Sequence, residues 1–138
     1  MYAFYAYIGA VTLSPSGVAP VCSGNALNLT CITTGRFLEW SFSLITENPT
    51  ALMRYTKILQ NSGQNHLQTF EEIIESTTFL YSRISAENVL PVMSMLSINP
   101  VKDGLNGVMI NCTDVTTSHL ESTIINVVNE NEIMSKYV

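Results

Sequence analysis

The chain has 138 residues, of which 46% are hydrophobic and 12% charged, and its formal net charge at pH 7 is −5. This length predicts one domain with its own apolar core, and the composition excludes a disordered tail or a coiled coil, which need many more charges. Lys and Arg together number only six and are scattered, which argues against nucleic acid and anionic membrane surfaces as partners.

The N-terminal run MYAFYAYIGAVTL is apolar but too short to span a membrane. No Lys or Arg precedes it, whereas a signal peptide would have a basic region there. Residues 1–11 are interpreted as an N-terminal apolar strand or a truncated leader, and the alternating aromatic residues favour the strand. No later segment resembles a membrane anchor, so any attachment to a membrane is expected through an anchor outside this chain.

From residue 12 to residue 130 the chain alternates between short apolar stretches and turn residues, and helical periodicity is nearly absent. This pattern predicts an all-β sandwich. Alternation within the stretches ALNLTC, FLEWSFSLI and GVMINCT assigns one side of each strand to the core. The residues placed inward are Leu27, Leu29, Cys31, Leu38, Trp40, Phe42, Leu44, Val108, Ile110 and Cys112.

Further strands are predicted at ALMRYTKIL, TTFLYSRIS and VMSMLSI, which are rich in β-branched and aromatic residues. In STIINVV both faces are partly apolar, so neither can be assigned to the core. Residues 131–138 are predicted to be a C-terminal linker or tail.

The segment HLQTFEEIIES is ambiguous. Thr69 and Glu72 could form the capping box of a short helix, and an irregular edge strand is equally plausible. Its glutamates Glu71, Glu72 and Glu75 are interpreted as a solvated face and not as an acid–base cluster.

Three cysteines, Cys22, Cys31 and Cys112, make an odd count without a Cys-x-x-Cys pair, so a structural zinc site has poor support. His66 and His119 are interpreted as solvated surface residues. The sequence therefore predicts no metal site and no cofactor.

Cys31 in a Leu-x-Leu-x-Cys strand, Trp40 nine residues later and Cys112 after a Gly-containing turn all point inward, and in this order they resemble the immunoglobulin superfamily. The resemblance covers residues 12–130. It implies an immunoglobulin-like β-sandwich of two antiparallel sheets with Greek-key connections, of a variable or intermediate type. It also implies one inter-sheet disulfide between Cys31 and Cys112, with Trp40 packed on it. Gly24 lies where the family turns from its first strand into its second.

The segment before the second cysteine departs from the family's usual Asp-x-Gly/Ala-x-Tyr-x-Cys. Ile110 stands at the tyrosine position, and Asn106 replaces the aspartate that often pairs with an arginine, so Arg83 is not assigned that partner. The final strand also lacks the Gly-x-Gly bulge of antigen receptors. An antibody or T-cell receptor identity is therefore not expected.

The implied disulfide predicts an oxidising compartment, so the protein is expected to be extracellular or at the cell surface. Cys22 has no place in the implied Cys31–Cys112 disulfide. Its alternatives are a buried thiol, a bond to a cysteine outside the domain, or competition with Cys31 or Cys112 for that disulfide. Asn28 and Asn111 each begin an Asn-x-Thr pattern for N-glycosylation and point outward by alternation. The cysteine in the middle position makes Asn111 the poorer acceptor.

The sequence contains no Gly-x-Ser-x-Gly elbow, His-Glu-x-x-His motif or phosphate-binding glycine loop, so an enzyme is not expected. The resemblance implies a recognition or adhesion module that binds a protein ligand, or another copy of itself, through a sheet face or end loops. A passive spacer in a multi-domain ectodomain is the alternative. A Cys–His hydrolase, which needs an inward cysteine as a nucleophile, is a remote one.

An exposed apolar patch would favour recognition over spacing. Met53, Tyr55 and the pair Met93 and Met95 are candidate members of such a patch, and half-buried strand positions are the commoner alternative for residues of this kind.

Overall fold

The computed structural model describes residues 10–47, 50–60, 69–84 and 91–129. The expectations for residues 1–9, His66 and residues 131–138 lie outside these ranges. The described strands are β1 (Val11–Ser14), β2 (Gly17–Cys22), β3 (Leu27–Thr33), β4 (Phe37–Glu47), β5 (Thr50–Gln60), β6 (Thr69–Ile74), β7 (Thr77–Arg83), β8 (Val92–Asn99), β9 (Met109–Asp114) and β10 (Leu120–Val128). A 3-10 turn, Asp103–Leu105, lies between β8 and β9.

The strands form two five-stranded sheets. Sheet I has the order β1-β3-β8-β7-β6, and sheet II has the order β2-β10-β9-β4-β5. Neighbouring strands run antiparallel except β2 and β10, which run parallel. The predicted fold class, an all-β sandwich with two sheets and one disulfide between them, is confirmed.

The core follows from the alternation of each strand. Every residue that alternation placed inward is buried, apart from Val108, which is half-buried against the core. In β10, where the sequence left the inner face open, Thr123 and Ile125 face the core. The inner faces of both sheets thus bury one continuous apolar layer.

The disulfide joins Cys31 of β3 in sheet I to Cys112 of β9 in sheet II, with Cα atoms 6.5 Å apart. Trp40 of β4 lies directly opposite Cys112 in sheet II and is fully buried. Its Nε1 donates a 2.9 Å hydrogen bond to Ser94 Oγ in sheet I. The indole therefore packs beside the bridge with its polar group satisfied, as a buried tryptophan requires.

The described part of the ambiguous segment forms a strand, β6, from Thr69 to Ile74. β6 pairs antiparallel with β7 through a two-residue turn at Glu75 and Ser76, and this hairpin partner decides against the helix. The solvated interpretation of the glutamates needs one correction, because Glu72 is half-buried. Its Oε1 accepts a 2.9 Å hydrogen bond from the Tyr81 hydroxyl, and burial, followed by this contact, raises the pKa of Tyr81.

The two strands between β4 and β7 extend different sheets. In the variable type both extra strands join the sheet that carries the second cysteine. Here β5 extends sheet II, whereas β6 extends sheet I. The ammonium of Lys57 in β5 lies 5.1 Å from the ring centroid of Phe70 in β6, which links the two edge strands across the sandwich.

Two ends of the sandwich are used as landmarks below. The upper end carries the β3–β4 and β9–β10 loops, and the lower end carries the β2–β3 and β6–β7 turns and the 3-10 turn. Gly24, in the β2–β3 turn, has a φ of 88°, a left-handed conformation that favours glycine and fits the turn expected there. Arg83 is buried near the upper end of β7, whereas Asn106 lies at the lower end, where its Oδ1 accepts the Val127 N–H.

Candidate binding face

The outer face of sheet II, the side turned away from sheet I, is unusually apolar. Twelve large apolar side chains are exposed among the described residues, and the alternation of the strands places eight of them on this face. The eight are Val18, Phe37, Ile45, Leu52, Ile58, Met109, Leu120 and Ile124. The outer face of sheet I carries only Ile73 and Ile84 from the same set.

Strand pairing gathers several of these side chains into rows. Ile45 and Leu52 are directly opposite each other on β4 and β5, and they are 69% and 71% exposed. Met109 on β9 pairs with Ile124 on β10, which in turn pairs with Val18 on β2. Directly opposed side chains on one face contact each other, so these rows present continuous apolar surface.

A polar row crosses the middle of the face. Ser41, Asn111 and Ser122 lie side by side on β4, β9 and β10. The Ser122 hydroxyl donates a 2.6 Å hydrogen bond to Asn111 Oδ1. Ser41, Asn111, Met109 and the nearby Arg54 line a shallow depression of about 260 Å³. The face therefore combines apolar contact area with a central set of hydrogen-bonding groups.

The size of this face suits a protein partner. Five strands spaced about 4.8 Å apart, with a rise of about 3.3 Å per residue, give the outer face an area of roughly 600–800 Å². A standard protein–protein interface buries about 800 Å² on each partner. Apolar patches larger than a few hundred Å² on a soluble domain mark interaction sites.

At the upper end, a buried carboxylate organises the loops beside this face. Asp114, the last residue of β9, has no exposed surface. Its Oδ2 accepts a 2.6 Å hydrogen bond from the Thr33 hydroxyl, and its Oδ1 accepts the N–H groups of Thr116 and Thr117 at 2.9 and 3.1 Å. A Cβ atom at Gly35 would overlap the carboxylate, so only glycine fits there.

The hydrogen bonds to Asp114 also set its ionisation. Burial acts to raise the pKa of the carboxyl, but the hydrogen bonds from Thr33 and from the backbone of Thr117 and Thr116 outweigh burial and lower the pKa. Asp114 therefore stays ionised and fastens the β3–β4 loop to the β9–β10 loop. Nothing in the sequence pattern signalled this role, since a single aspartate after a strand has no distinctive spacing.

The residues named from the sequence lie in several places. Cys22 is a half-buried thiol at the end of β2, away from the Cys31–Cys112 bridge. Asn28 is exposed on the outer face of sheet I, and Asn111 is half-buried on the outer face of sheet II. The two asparagines thus lie on opposite faces of the sandwich.

The four candidate residues do not form an apolar patch, and three of them occupy half-buried strand positions, the alternative that the sequence favoured. Met53 is exposed at the β5 edge, but Tyr55 is half-buried with its ring stacked 5.4 Å from that of Phe42. Met93 and Met95 are half-buried on sheet I. The residues that do form an apolar face were missed, although apolar residues at solvent-facing positions of β4, β5 and β10 were a signal in the sequence.

Among the described residues, no group of three or more His, Cys, Asp or Glu side chains could hold a metal ion. Within the same ranges, the structure contains no helix with the length and apolar character needed to cross a membrane.

The fold and this face define a disulfide-bridged β-sandwich with one apolar outer surface, an architecture consistent with an immunoglobulin-like domain. Comparison with known proteins finds no matching family model and no matching curated protein.

Proposed function

We propose that this chain is an immunoglobulin-like recognition domain of an extracellular or cell-surface protein, and that it binds a protein partner through the outer face of sheet II. The observation that carries this proposal is the concentration of exposed apolar side chains on that face, eight against two on the opposite sheet. Surface of this kind is costly to leave in water and is retained where a partner covers it.

The class of domain is supported by the arrangement around the bridge. Cys31 and Cys112 join the two sheets, and Trp40 packs beside Cys112. In the immunoglobulin superfamily the same three residue types form the centre of the core. A disulfide in this position also fits an oxidising compartment, which supports an extracellular or cell-surface location.

The choice of face is supported by how the two sheets differ. The outer face of sheet I carries the exposed Asn28 in an Asn-x-Thr pattern, and a glycan there would shield that sheet. Sheet II carries the apolar rows and the polar row between them. Its centre therefore offers both contact area and hydrogen-bonding groups, the combination that gives an interface its affinity and its specificity.

A passive spacer remains the main rival, and the apolar face weighs against it because a spacer gains nothing from exposed isoleucine and leucine. The hydrolase alternative required an inward cysteine as a free nucleophile. Cys31 and Cys112, the two inward cysteines, are bonded to each other.

The proposal is tested by binding to an array of purified secreted and cell-surface ectodomains that includes this domain itself. Met109→Lys places a charge in the centre of the face, and we expect it to weaken any specific binding at least tenfold, since burying an unpaired charge costs more than 1.4 kcal/mol. Ile73→Lys makes the same kind of change on the outer face of sheet I and serves as the matched control.

Binding that is lost in Met109→Lys and kept in Ile73→Lys supports recognition through sheet II. Binding that survives Met109→Lys contradicts the assignment of the face. A wild-type domain that binds nothing in the array favours the spacer.

A further inference from the structure

A gap interrupts sheet II beside the lower half of β4. The pairing of β4 with β9 runs from Leu38 opposite Asp114 to Ser41 opposite Asn111. β4 continues to Glu47, and its other side stays paired with β5 along this whole length. Within the described residues, no strand pairs with the β9 side of β4 from Phe42 to Glu47.

The gap exists because the chain before β9 is committed to β10. The Gly107 N–H donates to the Ile125 carbonyl at 2.8 Å, and the Ile125 N–H donates to the Val108 carbonyl at 2.9 Å. The Asn106 side chain adds a third bond, accepting the Val127 N–H at 2.9 Å. This segment therefore lies against β10, and among the described strands none adjoins the β9 side of β4 from Phe42 to Glu47.

A cavity of about 490 Å³ occupies the gap. Its lining mixes apolar and polar groups and comes from both sheets and from the segment before β9. The apolar lining residues are Leu44, Ile45, Leu52, Ile74, Phe79, Leu105 and Val108. The volume is within the range of sites that bind ligands.

The backbone of β4 faces this cavity at alternate residues. The Phe37 carbonyl accepts the Val115 N–H on the β9 side, and the Glu47 N–H donates to Glu75 Oε1 at 2.7 Å, on the side away from β5. In an antiparallel strand the N–H and C=O of alternate residues point to the same side. Ser43 and Ile45, which lie between these two, therefore direct their backbone groups into the gap.

The rim of the cavity is acidic. Glu47 and Glu75 contribute two carboxylates, and Lys102 contributes one ammonium. The Lys102 Nζ donates to the Glu75 carbonyl at 3.1 Å, which holds it at the edge. The remaining negative charge favours a basic group on whatever enters.

We propose that this gap binds an extended segment of a partner protein by strand addition to β4. The segment hydrogen-bonds with the backbone of Ser43 and Ile45 and buries a small apolar side chain against Leu105 and Phe79. A Lys or Arg beside that side chain meets the acidic rim. The exposed strand edge supplies affinity and the apolar pocket supplies specificity, as in other cases of strand addition. Ile45 and Leu52 border both this gap and the outer face. The proposal goes beyond recognition through the outer face, because its contacts are the backbone groups of β4 and the pocket at Leu105 and Phe79.

The probe for this site is a capped hexapeptide that alternates valine and threonine and ends in lysine. We expect its addition to the 15N-labelled chain to shift the amide signals of Ser43 and Ile45 and those from Gly104 to Val108. Two N-methylated versions, blocked on opposite sets of alternate residues, test for strand pairing. The set that methylates the amides facing β4 should weaken binding about tenfold or more, because it removes backbone hydrogen bonds to Ser43 and Ile45, and the other set should not.

Gly104→Trp tests the location. Gly104 lines the cavity, has open space where a Cβ would stand and lacks a positive φ, so an indole there can fill the gap without straining the fold. Ser23→Trp, on the exposed β2–β3 turn at the same end, is the matched control. We expect Gly104→Trp to abolish peptide binding and Ser23→Trp to preserve it. The dispersion of the amide signals in the NMR spectrum of each variant verifies that it is folded.

The proposal is overturned if millimolar peptide shifts none of these signals or if both methylated versions bind equally well. Shifts centred on Met109, Ile124 and Val18, with none from Gly104 to Val108, overturn it too. Binding that survives Gly104→Trp overturns it as well. Binding to the gap that persists in Met109→Lys separates this site from the outer face.

Discussion

Asp114 shows how one buried carboxylate fixes two loops. Its three hydrogen bonds come from β3 and from the loop after β9, and no solvent reaches it. Hydrogen bonds to a charged group are each worth about 1.5–3 kcal/mol, more than those between neutral groups. The conformation of the upper end therefore depends on this residue.

We expect Asp114→Asn to lower the free energy of unfolding by about 2 kcal/mol. The amide carries no charge, and its NH2 group would replace one carboxylate oxygen that now accepts hydrogen bonds. Urea denaturation at pH 7 measures the change. Asp103→Asn, an exposed aspartate in the 3-10 turn, is the control and should change stability little. Equal stability of the two variants would contradict the role of Asp114.

The same carboxylate predicts a pH dependence. Its pKa is lowered in the folded state, so its stabilising contribution is fully present above the unfolded value of about 3.9 and is lost as the pH falls through the folded pKa. The stability difference between wild type and Asp114→Asn should therefore shrink between about pH 5 and about pH 2. Denaturation midpoints across this range measure it. A difference that stays constant would refute the assignment.

Ser76 has a left-handed backbone that a serine rarely adopts. Glu75 and Ser76, in the turn between β6 and β7, have φ values of 48° and 68°. Two-residue turns with positive φ at both positions favour glycine at the second. We expect Ser76→Gly to raise the free energy of unfolding by about 0.5–1 kcal/mol, measured by urea denaturation. Ser23→Gly, at an exposed turn residue without a positive φ, should not raise the free energy of unfolding. An equal gain in both variants would contradict the explanation by backbone strain at Ser76.

At the scale of elements, alternation predicted the strands and their inner faces wherever one face was clearly apolar. Trp40 and Cys112 could be assigned inward for this reason. Two segments could not be resolved from the sequence. β6 needed its hairpin partner β7 to decide between helix and strand, and β10 has apolar residues on both faces because one faces the core and the other belongs to the exposed apolar face.

The two N-glycosylation patterns lie on the outer faces of opposite sheets, and a separate prediction follows for each. Asn28 is exposed on sheet I, whereas Asn111 is half-buried, bonded to Ser122 and followed by the disulfide cysteine. We expect secreted protein to carry a glycan at Asn28 and none at Asn111. Asn28→Gln should increase gel mobility and Asn111→Gln should not. A mobility change in Asn111→Gln alone would place a glycan on the proposed binding face.

At the scale of the whole molecule, the disulfide is the part of the fold that the resemblance predicted most completely. The bridge spans 81 positions between Cys31 and Cys112. In the chain-entropy model, closing a loop of this length stabilises the fold by about 4 kcal/mol. The apolar residues at solvent-facing strand positions were visible in the sequence. Their gathering into one face and the gap beside β4 could not be predicted, since both depend on which strands become neighbours in the sheet.

Replacing Cys31 and Cys112 together by alanine should lower the free energy of unfolding by about 4 kcal/mol under oxidising conditions. Chemical denaturation without reductant measures the loss. Cys22→Ala, which removes a half-buried thiol and no bridge, is the control. A double variant with a midpoint close to that of Cys22→Ala would contradict a stabilising role for the bridge.

Non-reducing peptide mapping of protein made through a secretory pathway tests most directly the disulfide pairing on which the class of fold and the proposed extracellular recognition function depend. The structure predicts one crosslinked peptide pair containing Cys31 and Cys112, with Cys22 recovered as an alkylated thiol. Three free thiols in well-folded protein, or a bond from Cys22 to either of the other two, would contradict the immunoglobulin-like assignment.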